Sequence, residues 1–540
     1  MRRKLSEFYF TVDPRSLGLF RILVATLLIV DWFTRWPDLE AFYTSFGVLP
    51  IEAPLPKPGG EFHFCLLDGA TSLLMVRAVF CFGLICYFLM LVGFRTRLFQ
   101  VLSFVFFVSV VSRNVLIRDG SVVVMETMLL WSLFLPMARR FSLDALLRSH
   151  SAAAERTASL AAFPIVAQIG LIYFFAAMAK HGTTWKDGTA LYYALNLDQI
   201  ARPLSQWLLT QPLWLIKALT WGTLVLEFAA LPLILCPFGQ PWPRRAAIVS
   251  LATLHVGIAL TTTLVMFPAA MIATYALLLL PEDWERLGQW RAVRWLGTVG
   301  LGFGERCRDR LGFGHENVTP AAGVSGRWAA NLAVGVLFVA FTVDAYNLNV
   351  TRRLERGRIR EPSWMRALIQ VPLIEHNWEL FAPNPAREDG WWVIDGETES
   401  GERFDPLTGK APTFDKPTDL ASRYDRFWRK YLERIWLKKS RDYRLYFGKY
   451  ITRKNHRECA GGSRLTRFDF YYVKEETQPP GTPQPLARNP RVALAPRVCR
   501  AAQGGRRDTV AQNYEPAVSR ASAANSPMCA PGESVGSATL

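Results

Sequence analysis

Long apolar runs between residues 16 and 346 constrain the fold of this chain more than any other feature. A helix needs about 20 apolar residues to cross the roughly 30 Å of hydrocarbon in a bilayer. The eighth run is short and begins at Phe267-Pro268, so it could instead be re-entrant or half of a broken helix. The nine runs lie at roughly 16–36, 73–94, 98–116, 120–138, 159–179, 212–236, 246–264, 266–281 and 328–346.

Composition supports a membrane protein. Hydrophobic residues make up 51% of the 540 residues and charged residues 20%, whereas ordinary soluble domains carry about 25% charged residues. The apolar residues are also segregated into long runs and thin out after residue 346. This distribution argues against a soluble enzyme, a coiled coil or a disordered chain. It predicts an all-α polytopic membrane bundle of about nine spans, residues 1–349, followed by a small polar domain.

The distribution of Lys and Arg predicts an orientation, because cytoplasmic loops carry an excess of both. Arg2, Arg3 and Lys4 precede the first run, whereas the 37–72 loop has only Lys57. Seven arginines lie in the 282–327 loop. We therefore expect a cytoplasmic N-terminus, and nine spans then place the C-terminal domain on the extracytoplasmic side.

Two groups of arginines disagree with this orientation. Arg113 and Arg118 flank the turn between the third and fourth runs, on the predicted outer side. Five more follow the ninth run closely, also on that side. They are Arg352, Arg353, Arg356, Arg358 and Arg360.

The net charge of +17 does not require nucleic acid as a partner. Basic residues of a membrane protein face anionic lipid and occupy cytoplasmic loops, and no compact nucleic-acid motif is present. The eight cysteines form no CxxC pair and the seven histidines have no paired spacing. We therefore predict neither a metal site nor a disulfide scaffold.

Residues 350–478 are expected to form an extramembrane α+β domain. Residues 390–396 and 397–404 read as paired strands, and 423–439 and 441–455 as two helices. Residues 423–457 carry 13 basic and 3 acidic side chains, interleaved with aromatic ones. That face could bind a membrane surface or an acidic partner, or it could be a solvated basic face above an aromatic core. Residues 479–540 lack any apolar period and are predicted to be disordered.

Ionisable residues within apolar runs are costly and usually face a partner or a cavity. Arg21 and Glu126 lie deep in their runs, where a packing ion pair or a capping hydrogen bond is the plain interpretation. Lys180 stands at the outer end of the fifth run, where a lysine usually snorkels to the surface. The other ionisable residues within the apolar runs are Asp31, Arg77, Arg113, Lys217, Glu227, His255 and Asp344.

Lys180 is nevertheless a candidate for chemistry. A lysine in an apolar pocket has its pKa lowered from about 10.4 and can act as a base or nucleophile near pH 7. At the edge of a bilayer it could reach the phenolic hydroxyl of a lipid-soluble quinol, or it could bind a lipid phosphate as a charge. A lone His255 is more often a satisfied core histidine than a catalytic group.

Two stretches near the N-terminus carry a family resemblance. Residues 13–22 (DPRSLGLFRI) and 42–50 (FYTSFGVLP) resemble the HTTM family (horizontally transferred transmembrane domain), which is related to vitamin K-dependent gamma-carboxylase. The resemblance covers about residues 8–290. Residues 376–392 (HNWELFAPNPAREDGWW) also resemble the C-terminal extension of bacterial HTTM proteins.

Two further stretches resemble the carboxylase itself. Residues 173–185 (YFFAAMAKHGTTW) are similar to the segment that holds its lysine base, and Lys180 falls on that lysine. Residues 254–267 are similar to a second segment, with His255 on a histidine there. The resemblance implies that Lys180 deprotonates a reduced quinone such as vitamin K hydroquinone. Oxygen then converts the quinol to a strong base, which removes a gamma proton from a peptide glutamate before carbon dioxide adds.

The sequence also departs from the carboxylase. Asp119-Gly120 stands where the carboxylase has an Asn-His pair, and its large lumenal substrate domain is not recognisable here. We therefore predict a quinol-dependent, carboxylase-like membrane enzyme with Lys180 as base and with His255 and Glu227 in support. The alternative is a non-catalytic membrane protein that binds lipid or an acidic partner through residues 423–457.

Overall fold

The chain is mostly helical, with a small antiparallel sheet near its C-terminus. The computed structural model describes residues 5–51, 53, 64–147, 157–289, 324–351, 357–374, 376–418, 420–437, 440, 442–458, 465–482 and 491–495. Arg2, Arg3, Lys4, Lys57 and Arg352, Arg353 and Arg356 lie outside these ranges. So does most of the 282–327 loop and of the predicted disordered tail.

The N-terminal half is built almost entirely from helices. A two-residue ladder pairs β1 with β2. The elements are α1 Leu5–Phe10, β1 Thr11–Val12, α2 Pro14–Arg35, α3 Leu39–Tyr43, α4 Leu73–Val92, α5 Thr96–Arg113, α6 Gly120–Ser132, α7 Leu143–Leu147, β2 Thr157–Ala158, α8 Ala162–Ala179, α9 Thr183–Lys186, α10 Ala190–Leu195, α11 Pro203–Leu209, α12 Leu213–Leu235, α13 Trp242–Thr261, α14 Met266–Thr274 and α15 Pro281–Gly288.

The C-terminal half begins with one more long helix and then becomes mixed α and β. Its sheet is antiparallel in the order β4-β3-β5-β6. The elements are α16 Val324–Tyr346, α17 Ser363–Gln370, β3 Glu388–Thr398, β4 Arg403–Phe404, α18 Leu420–Arg423, α19 Arg426–Trp436, α20 Tyr443–Glu458, β5 Leu465–Glu476 and β6 Arg491–Ala495. The two predicted helices are thus confirmed. The predicted strand pair is present, but β3 continues through the predicted turn at Gly396 to Thr398, and only Arg403–Phe404 returns along it. The domain limits at 350 and 478 stay predictions.

Six helical stretches of the described chain are long and apolar enough to cross a membrane, so the expected nine spans are not confirmed. Three predicted spans fall outside this set. Helix α6 has only 13 residues, α14 has nine and continues as a short 3-10 turn, and the two arginines and the histidine of α13 lower its mean hydropathy. The six stretches are Pro14–Tyr43, Leu73–Val92, Thr96–Arg113, Ala162–Ala179, Leu213–Leu235 and Trp328–Thr351.

Local capping explains where several helices begin. The Asp13 carboxylate accepts a hydrogen bond from the Arg15 backbone N–H, and Pro14 occupies the first turn of α2. The Asp119 carboxylate caps α6 in the same way, by accepting from the N–H groups of Ser121 and Val122. Asp119 therefore fixes the start of α6 two residues after Arg118.

Arg21 and Glu126, the deepest charges in the apolar runs, have partners inside the bundle. This confirms the expectation that each is held by a capping hydrogen bond or an ion pair. Arg21 donates to the carbonyls of Met137 and Leu91. Glu126 is fully buried and forms an ion pair with Arg118, with 2.6 Å between the two side chains. Arg118 lies on the predicted outer side, where few arginines are expected. It neutralises a buried carboxylate there rather than facing solvent.

We call residues 376–482 the polar cap. It contacts one side of the helix bundle. Arg429 of α19 donates to the Thr263 hydroxyl, just after α13 ends (2.7 Å). The Gly182 N–H, just after α8 ends, donates to the Pro383 carbonyl (3.0 Å). The C-terminal end of α8, where Lys180 lies, therefore faces the polar cap.

Candidate functional site

Lys180 and Glu227 form a buried ion pair. Lys180 directly follows α8, and Glu227 lies on α12. The Lys180 ammonium donates to both carboxylate oxygens of Glu227 at 2.8 Å, and the side chains are 4% and 9% exposed. The ammonium also lies 5.4 Å from the centre of the Trp185 ring, at a distance where aromatic faces attract cations. Sequence alone named both residues, and the structure brings them together.

The pair lies far along α12 from the start of that helix. Glu227 follows Leu213 by 14 residues, about 21 Å along a helix axis. Residues 183–209 contact one face of the first half of α12: the Trp221 indole donates to the Lys186 carbonyl (3.3 Å), and the Leu191 N–H donates to the Thr220 hydroxyl (3.2 Å). Lys180 as a whole residue is 7% exposed, so it is buried rather than snorkelling to an interface.

His255 belongs to a second polar group. Its Nε2 shares a 2.6 Å hydrogen bond with the Tyr173 hydroxyl, which also bonds the Tyr275 hydroxyl. His255 is 1% exposed, and its Nδ1 has no hydrogen-bond partner in the described chain. Tyr173 precedes Lys180 by seven residues, two turns or about 10 Å along α8. The three predicted residues thus form two neighbouring groups, linked by α8.

The polar cap closes the turn beside Lys180. The Asn384 side chain accepts from the N–H and hydroxyl of Thr184 (3.0 and 2.8 Å). The Trp185 indole donates to the Phe381 carbonyl (3.0 Å). A Cβ at Gly182 would lie 2.4 Å from the Pro383 carbonyl oxygen, so only glycine allows this approach. These partners come from the 376–392 stretch, whose place beside Lys180 the sequence did not indicate.

The arginines of α19 point into the protein. Arg426 forms an ion pair with Asp31 at the end of α2. Arg429 contacts Thr263, and Arg434 donates to the Arg118 carbonyl (2.7 Å). The aromatic core expected beneath them is present, since Phe427 and Tyr431 of the same helix are buried. These contacts attach α19 to the bundle and do not favour an external acidic partner for its arginines.

Asp389 joins the polar cap to the 181–209 segment. Its carboxylate accepts from the backbone N–H groups of Gly390 (2.8 Å) and Gln199 (3.3 Å). Burial raises the pKa of Asp389 to about 7, and these two hydrogen bonds only partly oppose that shift. We therefore expect the charge of this junction to depend on pH near neutrality.

Sequence reasoning missed Tyr173, Tyr275 and Trp185 as members of the site. Tyrosine and tryptophan are common in apolar runs, so only the hydroxyl contacts of the two tyrosines and the ring contact of Trp185 distinguish them. Among the residues that the structure describes, no group of three or more His, Cys, Asp or Glu side chains could hold a metal ion.

Comparison with known proteins identifies the family. No curated protein and no solved structure matches the chain. The family model for the HTTM domain matches residues 9–284, just over half of the chain. The matched region contains Lys180, Glu227 and His255. With its apolar helices, the chain is an integral membrane protein that belongs to the HTTM domain family.

Proposed function

We propose that this membrane protein is an enzyme whose Lys180–Glu227 pair takes a proton from the phenolic hydroxyl of a membrane-soluble quinol. The buried ion pair itself carries the proposal, because both of its partners can hold or release a proton. Snorkelling would expose the lysine, and a purely structural pair would gain little stability over an apolar replacement.

Proton exchange within the pair supplies the base. When the proton moves from Lys180 Nζ to a Glu227 oxygen, the amine and the carboxylic acid are both neutral, and neither charge has to be kept in apolar surroundings. The neutral amine then accepts the hydroxyl proton at Nζ, where the Trp185 ring stabilises the new cation. Glu227 is therefore the residue that sets the protonation state of Lys180.

His255 has a supporting role. The Tyr173 hydroxyl fixes its ring through Nε2. Nδ1 remains able to donate to or accept from a ligand oxygen, depending on the tautomer. A reduced quinone fits these residues because it combines an apolar ring with ionisable hydroxyl groups. The resemblance to vitamin K-dependent gamma-carboxylase supports this substrate class and extends the proposal to a carboxylase-like reaction.

We propose a cytoplasmic N-terminus, which the charge distribution predicts, and an extracytoplasmic polar cap, which requires an odd number of crossings and therefore one more than the six long apolar helices supply. The contact of Gly182 with Pro383 supports placing the reacting residues on the side of the cap. Cysteine labelling in sealed vesicles tests this orientation. Single cysteines are introduced at two exposed positions, Glu7 near the N-terminus and Lys410 in the polar cap. Labelling of both from the same side would contradict it.

The function is tested with purified protein in nanodiscs and a panel of reduced quinones. We expect the wild type to bind a quinol and consume oxygen, and Lys180→Ala to lose turnover while it still inserts and folds. Lys186→Ala is the matched control, because Lys186 is exposed and its hydrogen bonds within the described chain involve only its backbone N–H and carbonyl. Equal turnover of Lys180→Ala and wild type would contradict the proposal.

A further inference from the structure

Helix α16 carries an apolar face that the described chain leaves uncovered. Its opposite face is buried at Val334 and Phe341, whereas Leu332 and Val339 are 70% and 55% exposed. Gly335 lies within the exposed face and has open space where a side chain would begin. The result is a shallow groove beside α17. Its walls are Asn331, Leu332, Gly335, Val336, Val339 and Trp364.

Beyond the groove, the same face of α16 leads toward two arginines. Val339 and Tyr346 are seven residues apart and therefore share one face of the helix. The Tyr346 hydroxyl lies beside Gly357, directly before Arg358. Arg358 and Arg360 are both exposed.

The position of these arginines is fixed by the residue between them. The Asn347 side chain donates to the Ile359 carbonyl (2.9 Å) and accepts from the Ile359 N–H (3.0 Å). The adjacent Glu361 accepts from the same Asn347 side chain. Within the described ranges, Arg358 and Arg360 form no ion pair with the chain, so both charges can meet an external anion.

We infer that this groove binds one anionic phospholipid, with an acyl chain along α16 and its phosphate on Arg358 and Arg360. From Leu332 to Tyr346 the helix rises about 21 Å, which exceeds the roughly 15 Å of hydrocarbon in one leaflet. Guanidinium groups bind phosphate through paired hydrogen bonds. The site is independent of the proposed acid–base function. It also explains why arginines follow the last span on the predicted outer side.

The site is tested by the lipid that purified full-length protein retains, measured by native mass spectrometry. The probes are phosphatidylglycerol and phosphatidylcholine with identical acyl chains. We expect the wild type to retain one phosphatidylglycerol in preference to phosphatidylcholine. The double variant Arg358→Gln, Arg360→Gln should bind phosphatidylglycerol about 10-fold or more weakly and lose the preference.

A matched double variant, Lys186→Gln with Lys410→Gln, removes two exposed charges elsewhere and should keep the preference. Gly335→Leu fills the groove and should reduce retention of both lipids. If Gly335→Leu fails to fold, the arginine variant still decides, because its residues are exposed. Equal retention of the two lipids by the wild type, or an unchanged preference in the arginine variant, would overturn the inference.

Discussion

Replacing Lys180 with methionine should lower the free energy of unfolding by several kcal/mol while the protein remains folded under native conditions. The substitution keeps an apolar stem of similar length but leaves the Glu227 carboxylate buried without its ammonium partner, which contributes both of its hydrogen bonds at 2.8 Å. Breaking a buried ion pair on one side costs about 3–5 kcal/mol in the free energy of unfolding. Glu227→Leu should cost a similar amount, because it leaves the ammonium unpaired.

The double variant Lys180→Met, Glu227→Leu separates this effect from lost packing. It removes both charges and fills the space with apolar atoms, so its stability should return to within about 1–2 kcal/mol of the wild type. The two single effects are then far from additive, with a coupling energy of about 4–9 kcal/mol, which exceeds the cost of either single substitution.

Reversible unfolding in mixed detergent micelles provides the assay, with the exposed Lys186→Met as the control. The control should change the free energy of unfolding by no more than about 0.5 kcal/mol. An exposed or snorkelling Lys180 would behave like a surface ion pair, which contributes about 0–1 kcal/mol. A Lys180→Met effect below 1 kcal/mol, or additive single effects, would therefore refute the buried pair.

Three further substitutions test other contacts. Gly182→Ala should destabilise the protein by about 1–3 kcal/mol, because its new methyl group meets the Pro383 carbonyl; unfolding measurements check this, and unchanged stability would contradict the close approach. Tyr173→Phe should cost about 1–3 kcal/mol by leaving Nε2 of His255 unpaired, and a neutral effect would show that this hydrogen bond is absent. Asp389 has a raised pKa in the folded state, so its stabilising effect is complete below pH 4 and is lost as pH rises through about 7. Asp389→Asn should remove that part of the pH dependence of unfolding, and an unaltered profile would contradict it.

Much of the fold follows from local patterns. The run Gly390-Trp-Trp-Val-Ile-Asp-Gly396 predicted a strand that ends in a turn. In β3, Trp391 and Val393 pack on one face of the sheet, and Trp392 and Ile394 on the other. The sequence also predicted α19 and α20, as helices over 423–439 and 441–455. Hydropathy overestimated the length of α6, because an apolar run continues after the helix ends at Ser132.

The site was only partly predictable. Composition flagged Lys180 and Glu227 as costly charges, but they lie 47 residues apart and no local pattern links them. The basic run of α19 gave no sign that Arg426 pairs with Asp31, 395 residues away. Charge counts treat every arginine as solvated, whereas tertiary contacts decide which ones neutralise buried carboxylates.

The central claim is that Lys180 receives the hydroxyl proton of a quinol. It is tested most directly by the absorbance spectrum of a naphthohydroquinone bound to the protein under anaerobic conditions at pH 7. The account predicts the spectrum of an ionised hydroxyl with the wild type and with Lys186→Ala, and that of the neutral quinol with Lys180→Ala. A neutral spectrum for quinol bound to the wild type, or an ionised one with Lys180→Ala, would contradict it.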